Sequence, residues 1–234
     1  MTKYINSVAM AAALTMGMTA GAHAASFSLV ESGTNDGGFA SGQIPALGEV
    51  NDVLAPLGLS NPLDGFFGSA VQVEGTNIRV RADFFGYEAG FTNTFTLDGN
   101  LAFSTPLDIE TTDINNPLDT AFSSVFSTTG NELLDFSFGT DTTGADISVI
   151  NGVGENTGVR GFFATFLGAT PDQTTTGDVL WLFLDDSGAD NDDNHDDLVV
   201  RLTVEQVPLP AAGFLLIGAL GALGAAKRRS KKKA

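Results

Sequence analysis

Between Ser26 and Val204 the apolar residues of this chain fall in short runs, not in helical stripes. The segments 70–75 (AVQVEG), 77–85 (NIRVRADFF), 91–99 (FTNTFTLDG), 133–139 (LLDFSFG), 146–150 (DISVI), 161–168 (GFFATFLG), 179–184 (VLWLFL) and 198–204 (LVVRLTV) are rich in β-branched and aromatic residues, the composition of strands. In 91–99 the alternation puts Phe91, Asn93, Phe95 and Leu97 on one side and Thr92, Thr94, Thr96 and Asp98 on the other. Clusters such as LDGN and TDTTG lie between the runs, and their residues tolerate turn geometry. About eight to eleven short strands in one domain predict an all-β fold, an antiparallel β-sandwich or jelly roll. A helix fits only near Ile44 to Leu57, where Asn51 can cap a short turn before Pro56 ends it.

Both ends break this pattern. Residues 1–24 run from Lys3 through an apolar stretch, Val8 to Met18, to Ala22-His23-Ala24. That order is a secretory signal peptide with cleavage between Ala24 and Ala25, and so implies the Sec export machinery. Its eleven apolar residues are too few to cross about 30 Å of hydrocarbon. At the other end, sixteen uncharged, largely apolar residues from Ala211 to Ala226 precede Lys227, Arg228, Arg229, Lys231, Lys232 and Lys233. They predict a single C-terminal transmembrane helix of about 24 Å, short but extendable by the preceding residues and by snorkelling cations. The basic cluster stops transfer and stays cytoplasmic, leaving residues 25–206 outside the inner membrane. Pro208 and Pro210 bias Val207 and Leu209 towards extended backbone, a conformation that a membrane-embedded processing enzyme can grip.

Charge divides the chain the same way. All 28 acidic residues lie between Glu31 and Glu205, where the only cations are Arg79, Arg81, Arg160 and Arg201, so residues 25–206 carry −24. Such a domain repels nucleic acid and anionic lipid and attracts divalent cations. With no cysteine no disulfide supports the fold, but a domain of this length buries a sufficient core without one. Phenylalanine supplies 18 of the 21 aromatics, which points to core packing between sheets rather than to a sugar platform of Trp and Tyr.

The stretch 185–197, DDSGADNDDNHDD, concentrates seven carboxylates between two strands. Oxygen donors in such number suit calcium, with Asp185, Asp186, Asp190, Asp192, Asn194, Asp196 and Asp197 as candidate ligands. It is not an EF-hand: in a frame starting at Asp190, His195 and Arg201 stand where glycine and glutamate are required. The competing reading is a solvated acidic loop that blunts a sheet edge. His195, the only histidine after the signal peptide, reads as a polar loop residue; one histidine and no cysteine do not make a zinc site. Nor does a Gly-x-Ser-x-Gly turn present a nucleophile, and 151–158 (NGVGENTG) misses dinucleotide-binding spacing. Carboxylates abound without any pair standing out as a glycosidase couple. No catalytic residue is expected, and the chain does not read as an enzyme.

Val207-Pro208-Leu209-Pro210-Ala211, an apolar helix and an Arg/Lys cluster, in that order, resemble the VPLPA variant of the PEP-CTERM sorting signal of Gram-negative bacteria. The resemblance covers about the last 28 residues. It implies recognition by an exosortase, transient residence in the inner membrane, removal of the tail and delivery to the cell surface or beyond. Residues 81–99 and 182–204 also resemble, more loosely, segments of exported proteins with this tail. The combined expectation is a structural or adhesive protein of the cell surface or exopolysaccharide matrix, bridging extracellular polysaccharide through calcium. The alternative is a carbohydrate-binding, lectin-like module.

Overall fold

The computed structural model describes residues 24–31, 39–45, 50–106, 108–141, 146–153, 161–167, 174–186, 194–208, 218 and 221. Its strands are, in chain order, β1 (Ser26–Glu31), β2 (Ala40–Ile44), β3 (Leu63–Phe67), β4 (Ser69–Glu74), β5 (Ile78–Ala89) and β6 (Thr92–Leu97). Then follow β7 (Asn100–Ser104), β8 (Asp108–Thr111), β9 (Asp119–Phe122), β10 (Glu132–Leu133) and β11 (Phe136–Asp141). The series closes with β12 (Asp146–Ile150), β13 (Gly161–Thr165), β14 (Thr176–Gly177), β15 (Val179–Asp185) and β16 (Leu198–Gln206). The described chain is all-β, and every strand pairing is antiparallel.

Three sheets form. One eight-stranded sheet has the order β2-β3-β13-β15-β16-β5-β8, with β9 also on β5; two four-stranded sheets run β10-β4-β1-β14 and β12-β11-β6-β7. One continuous apolar core joins them, drawing Val80, Leu182 and Val200 from the large sheet, Phe27 and Val71 from one small sheet, and Phe95 and Phe138 from the other. The arrangement is sandwich-like, with phenylalanine as its main filling, as the composition implies.

The uninterrupted run VLWLFL follows from its place. Leu180, Leu182 and Leu184 enter this core, whereas Trp181 and Phe183 point the other way into a second one with Phe85, Phe163 and Val199. A strand buried on both faces has no polar side to alternate with. The 91–99 segment alternates as predicted: Asn93, Phe95 and Leu97 are buried between less buried threonines. Its LDGN turn closes β6 onto β7 with Leu97 opposite Asn100, and Asp98 and Gly99 take φ of 55° and 68°, the paired left-handed geometry of a two-residue hairpin.

The segment covering the second core is a single turn, not the helix that the sequence allows. Asn51 does cap it, its Oδ1 accepting from the amides of Val53 (3.1 Å) and Leu54 (2.9 Å). It ends just after Pro56, at Gly58 (φ 69°), where Leu59 N bonds Leu54 O (3.0 Å) and Gly58 N bonds Ala55 O (3.0 Å). That pair of bonds is a Schellman closure. Val53, Leu54 and Leu57 sit buried beneath it.

Of the tail, only Val207, Pro208, Gly218 and Gly221 are described, the two glycines being helical. Among the described residues no helix is long and apolar enough to cross a membrane. The signal peptide up to His23, Leu209 to Ala211 and the basic cluster lie outside the described residues.

Candidate functional site

β15 and β16 are neighbours, with Leu184 opposite Leu198, so 185–197 is the loop of a long hairpin, as read from the sequence. Its described flanks are not solvated, however. Asp185, Asp186, Asp196 and Asp197 are all at most 5% exposed, and Asn194 and His195 are buried beside them. His195 is a loop residue but not a surface one: with φ at 59° its ring lies edge-on to Phe67 (5.3 Å) and near Phe163 (6.3 Å).

The second half of the loop is fastened to the turn over the second core. Asn51 Nδ2 donates to Asn194 O (2.8 Å) and His195 O (3.4 Å), and Asn194 Nδ2 donates to Val50 O (3.0 Å). The Asp52 amide donates to Asp196 Oδ2 (2.9 Å), and the Glu88 amide, on β5, to Asp196 O (2.8 Å).

A side chain from the opposite sheet fastens the first half. Asn93 on β6 donates to Asp186 Oδ2 (2.6 Å) and Asp197 O (3.4 Å), and its own Oδ1 accepts from Thr140 Oγ1 (2.7 Å). The Asp186 amide donates to Asp197 Oδ2 (2.7 Å). Asn93 thus joins the β12-β11-β6-β7 sheet to the base of the loop, with its side-chain oxygen and nitrogen both bonded. Truncation leaves buried Asp186 and Thr140 short of a partner, so Asn93→Ala is expected to cost about 2–3 kcal/mol. Thr140→Ala should cost less, with the double variant below the sum, as a urea-denaturation cycle would show.

Desolvation, then the charges of Asp186, Asp185 and Asp196, push the Asp197 carboxyl up to about 9, against the opposing pull of the Asp186 amide. His195 Nδ1 stands 3.9 Å from Asp185 Oδ2. Carboxylates buried this close together cannot all remain ionised unless a proton or a cation neutralises part of the charge.

The donor types suit a hard cation: Asn194 Oδ1, in the same loop as the carboxylates, is a buried oxygen without a hydrogen-bond partner. Among the described residues no three acidic or imidazole side chains converge as a metal centre requires. Of the candidate ligands, Asp185, Asp186, Asn194, Asp196 and Asp197 are each buried at the flanks of the loop, where Asp186 and Asp197 meet, and Asp190 and Asp192 lie outside the described residues.

A second polar centre escaped the sequence reading. Arg201 on β16 lies opposite Asp83 on β5, and Asp83 Oδ2 accepts from Arg201 Nη2 (2.8 Å) and Arg81 Nη2 (2.7 Å) while its Oδ1 accepts from Thr120 Oγ1 (2.7 Å). The Arg201 guanidinium lies over Phe85 (4.5 Å) and near Trp181 (5.5 Å). Burial alone would raise the Asp83 carboxyl, but bonds from Arg201, Arg81 and Thr120 outweigh it and hold it below the usual range. The available signal was the alternation in RVRAD, which puts Arg79, Arg81 and Asp83 on one strand face.

These features define an antiparallel all-β protein with an acidic hairpin loop whose described flanks are buried. No protein-family model, curated protein or solved structure matches the chain.

Proposed function

We propose that this is an exported structural or adhesive protein of the cell surface or exopolysaccharide matrix, whose β15–β16 loop takes calcium. The burial of Asp185, Asp186, Asp196 and Asp197 in that one loop carries the proposal. A loop that only needs to be soluble gains nothing by desolvating four carboxyl groups; a divalent cation neutralises their charge and can use Asn194 Oδ1 as well. Further ligands would come from Asp190 and Asp192. Calcium held there, and still partly hydrated, can also accept carboxylates of an acidic polysaccharide, so the ion serves both stability and adhesion.

The tail makes the protein an exosortase substrate in this account. Where the β-domain ends favours this: Val207 N donates to Asn77 O (2.8 Å) and Asn77 Nδ2 to Val207 O, and Pro208 has no N–H with which to extend the ladder. The described β-pairing therefore ends at Val207, the first residue of the sorting motif. Intact-mass measurement on protein recovered from cells and medium is expected to find a form beginning at Ala25 and ending close to Val207. A chain running from Ala25 to Ala234 would make the tail a permanent anchor and remove the sorting limb of the proposal.

A further inference from the structure

Where the β4–β10 pair meets the β6–β7 hairpin, the sandwich edge opens into a cavity of about 140 Å³. Its floor is apolar, formed by Val73, Leu97 and Leu134 from the core and by half-buried Phe126. Its rim carries Asp98, Glu132 and Asp135, and none of the described residues lining it is cationic. Asp98 is firmly ionised: its Oδ2 accepts from Ser124 N (2.9 Å) and Oγ (2.5 Å), and these bonds hold its carboxyl below the usual range. Leu133, half exposed, forms one wall and is backed by Gly152, where a Cβ would fall 2.6 Å from Leu133 Cδ1.

An apolar throat under three carboxylates is the complement of an aliphatic chain that ends in a positive charge. We propose that this cavity binds a primary alkylammonium group of about four to six carbons, since an apolar cavity of about this size holds a six-carbon ring. The chain would lie on Val73, Leu97 and Leu134 with its ammonium among Asp98, Glu132 and Asp135. A neutral alcohol forgoes the charge pairing, and a fatty acid is repelled by the same rim. The −24 carried by residues 25–206 adds a field that concentrates such cations at the surface. The proposal stands apart from the calcium loop, which shares no residue with it.

The test is a methyl-resolved NMR titration of the full chain at low salt, following Val73, Leu97, Leu133 and Leu134. The probes are n-pentylammonium, n-pentanol and a lysine blocked at both backbone ends. Pentylammonium is expected to saturate these signals in the millimolar range and about fivefold more tightly than pentanol, the contribution of one exposed ion pair. That preference should shrink in the Glu132→Gln/Asp135→Asn double variant, which leaves only Asp98 to pair with the ammonium; both positions are exposed, and the Glu132→Gln side chain keeps an oxygen to accept from the Thr129 amide. Saturation by pentylammonium alone identifies a free amine as the ligand; saturation by the blocked lysine too identifies a lysine presented by another protein. Equal response to pentanol and pentylammonium, or shifts confined to other methyls, would overturn the proposal.

Discussion

Replacing Asp83 with alanine is expected to destabilise the protein by about 3 kcal/mol, the lower end of the range for breaking a buried ion pair. The variant strands Arg201, whose guanidinium lies against the Phe85 and Trp181 rings and donates to the Ile114 carbonyl (3.1 Å), a neutral acceptor that does not replace the charge of Asp83. For a domain of this length the loss corresponds to a fall of roughly 6–12 °C in melting temperature. Removing both charges, as Asp83→Leu with Arg201→Met, should cost less than Asp83→Ala alone, because no unpaired charge is left inside. The acid limb follows from the lowered Asp83 carboxyl: its stabilisation is present above the ordinary aspartate range and is lost as pH falls through the lower folded value. Thermal melts of the two variants against pH check both statements.

The acidic loop gives the opposite pH dependence. In the folded state Asp197 keeps its proton up to about pH 9, whereas in the unfolded chain an aspartate loses it near pH ~4. The stabilisation from this group is therefore complete below the unfolded value and is progressively lost as pH rises from about 4 to about 9. Calcium-free protein should weaken across that window, and excess calcium should restore it by taking the proton's place. At about 100 times the dissociation constant, calcium adds about 2.7 kcal/mol, or roughly 5–10 °C in melting temperature. Asp197→Asn retains an oxygen to accept from the Asp186 amide (2.7 Å) but carries no charge. Without calcium at pH 8 the variant should be more stable than the parent chain by on the order of 2 kcal/mol, and it should respond less to calcium.

The strongest strands were legible because burial writes itself into residue type. VLWLFL and LVVRLTV became β15 and β16, and the strict alternation of 91–99 became β6, down to the inward-facing Asn93. Strands such as β2 (ASGQI), β8 (DIET) and β9 (DTAF) were not: short and polar, they lie at sheet edges or pair alongside β5, where pairing is fixed by neighbours and not by hydrophobic pattern. The acidic loop showed its chemistry but not its burial. Its described flanks are fastened by Asn51, 143 residues before Asn194, and Asn93, 93 residues before Asp186, and contacts that distant leave no local periodicity. The Asp83–Arg201 pair was hidden for the same reason, becoming visible only with the β5–β16 register.

The most direct test of the account is a calorimetric titration of calcium into the full chain near pH 8, repeated in two buffers of different ionisation heat. The account predicts one saturable site with a dissociation constant of about 0.1–1 mM, the range of extracellular calcium modules. Binding should release close to one proton per ion in the parent chain and little in Asp197→Asn. A flat titration, or binding that is unchanged in strength and proton release when Asp197 is replaced, would contradict it.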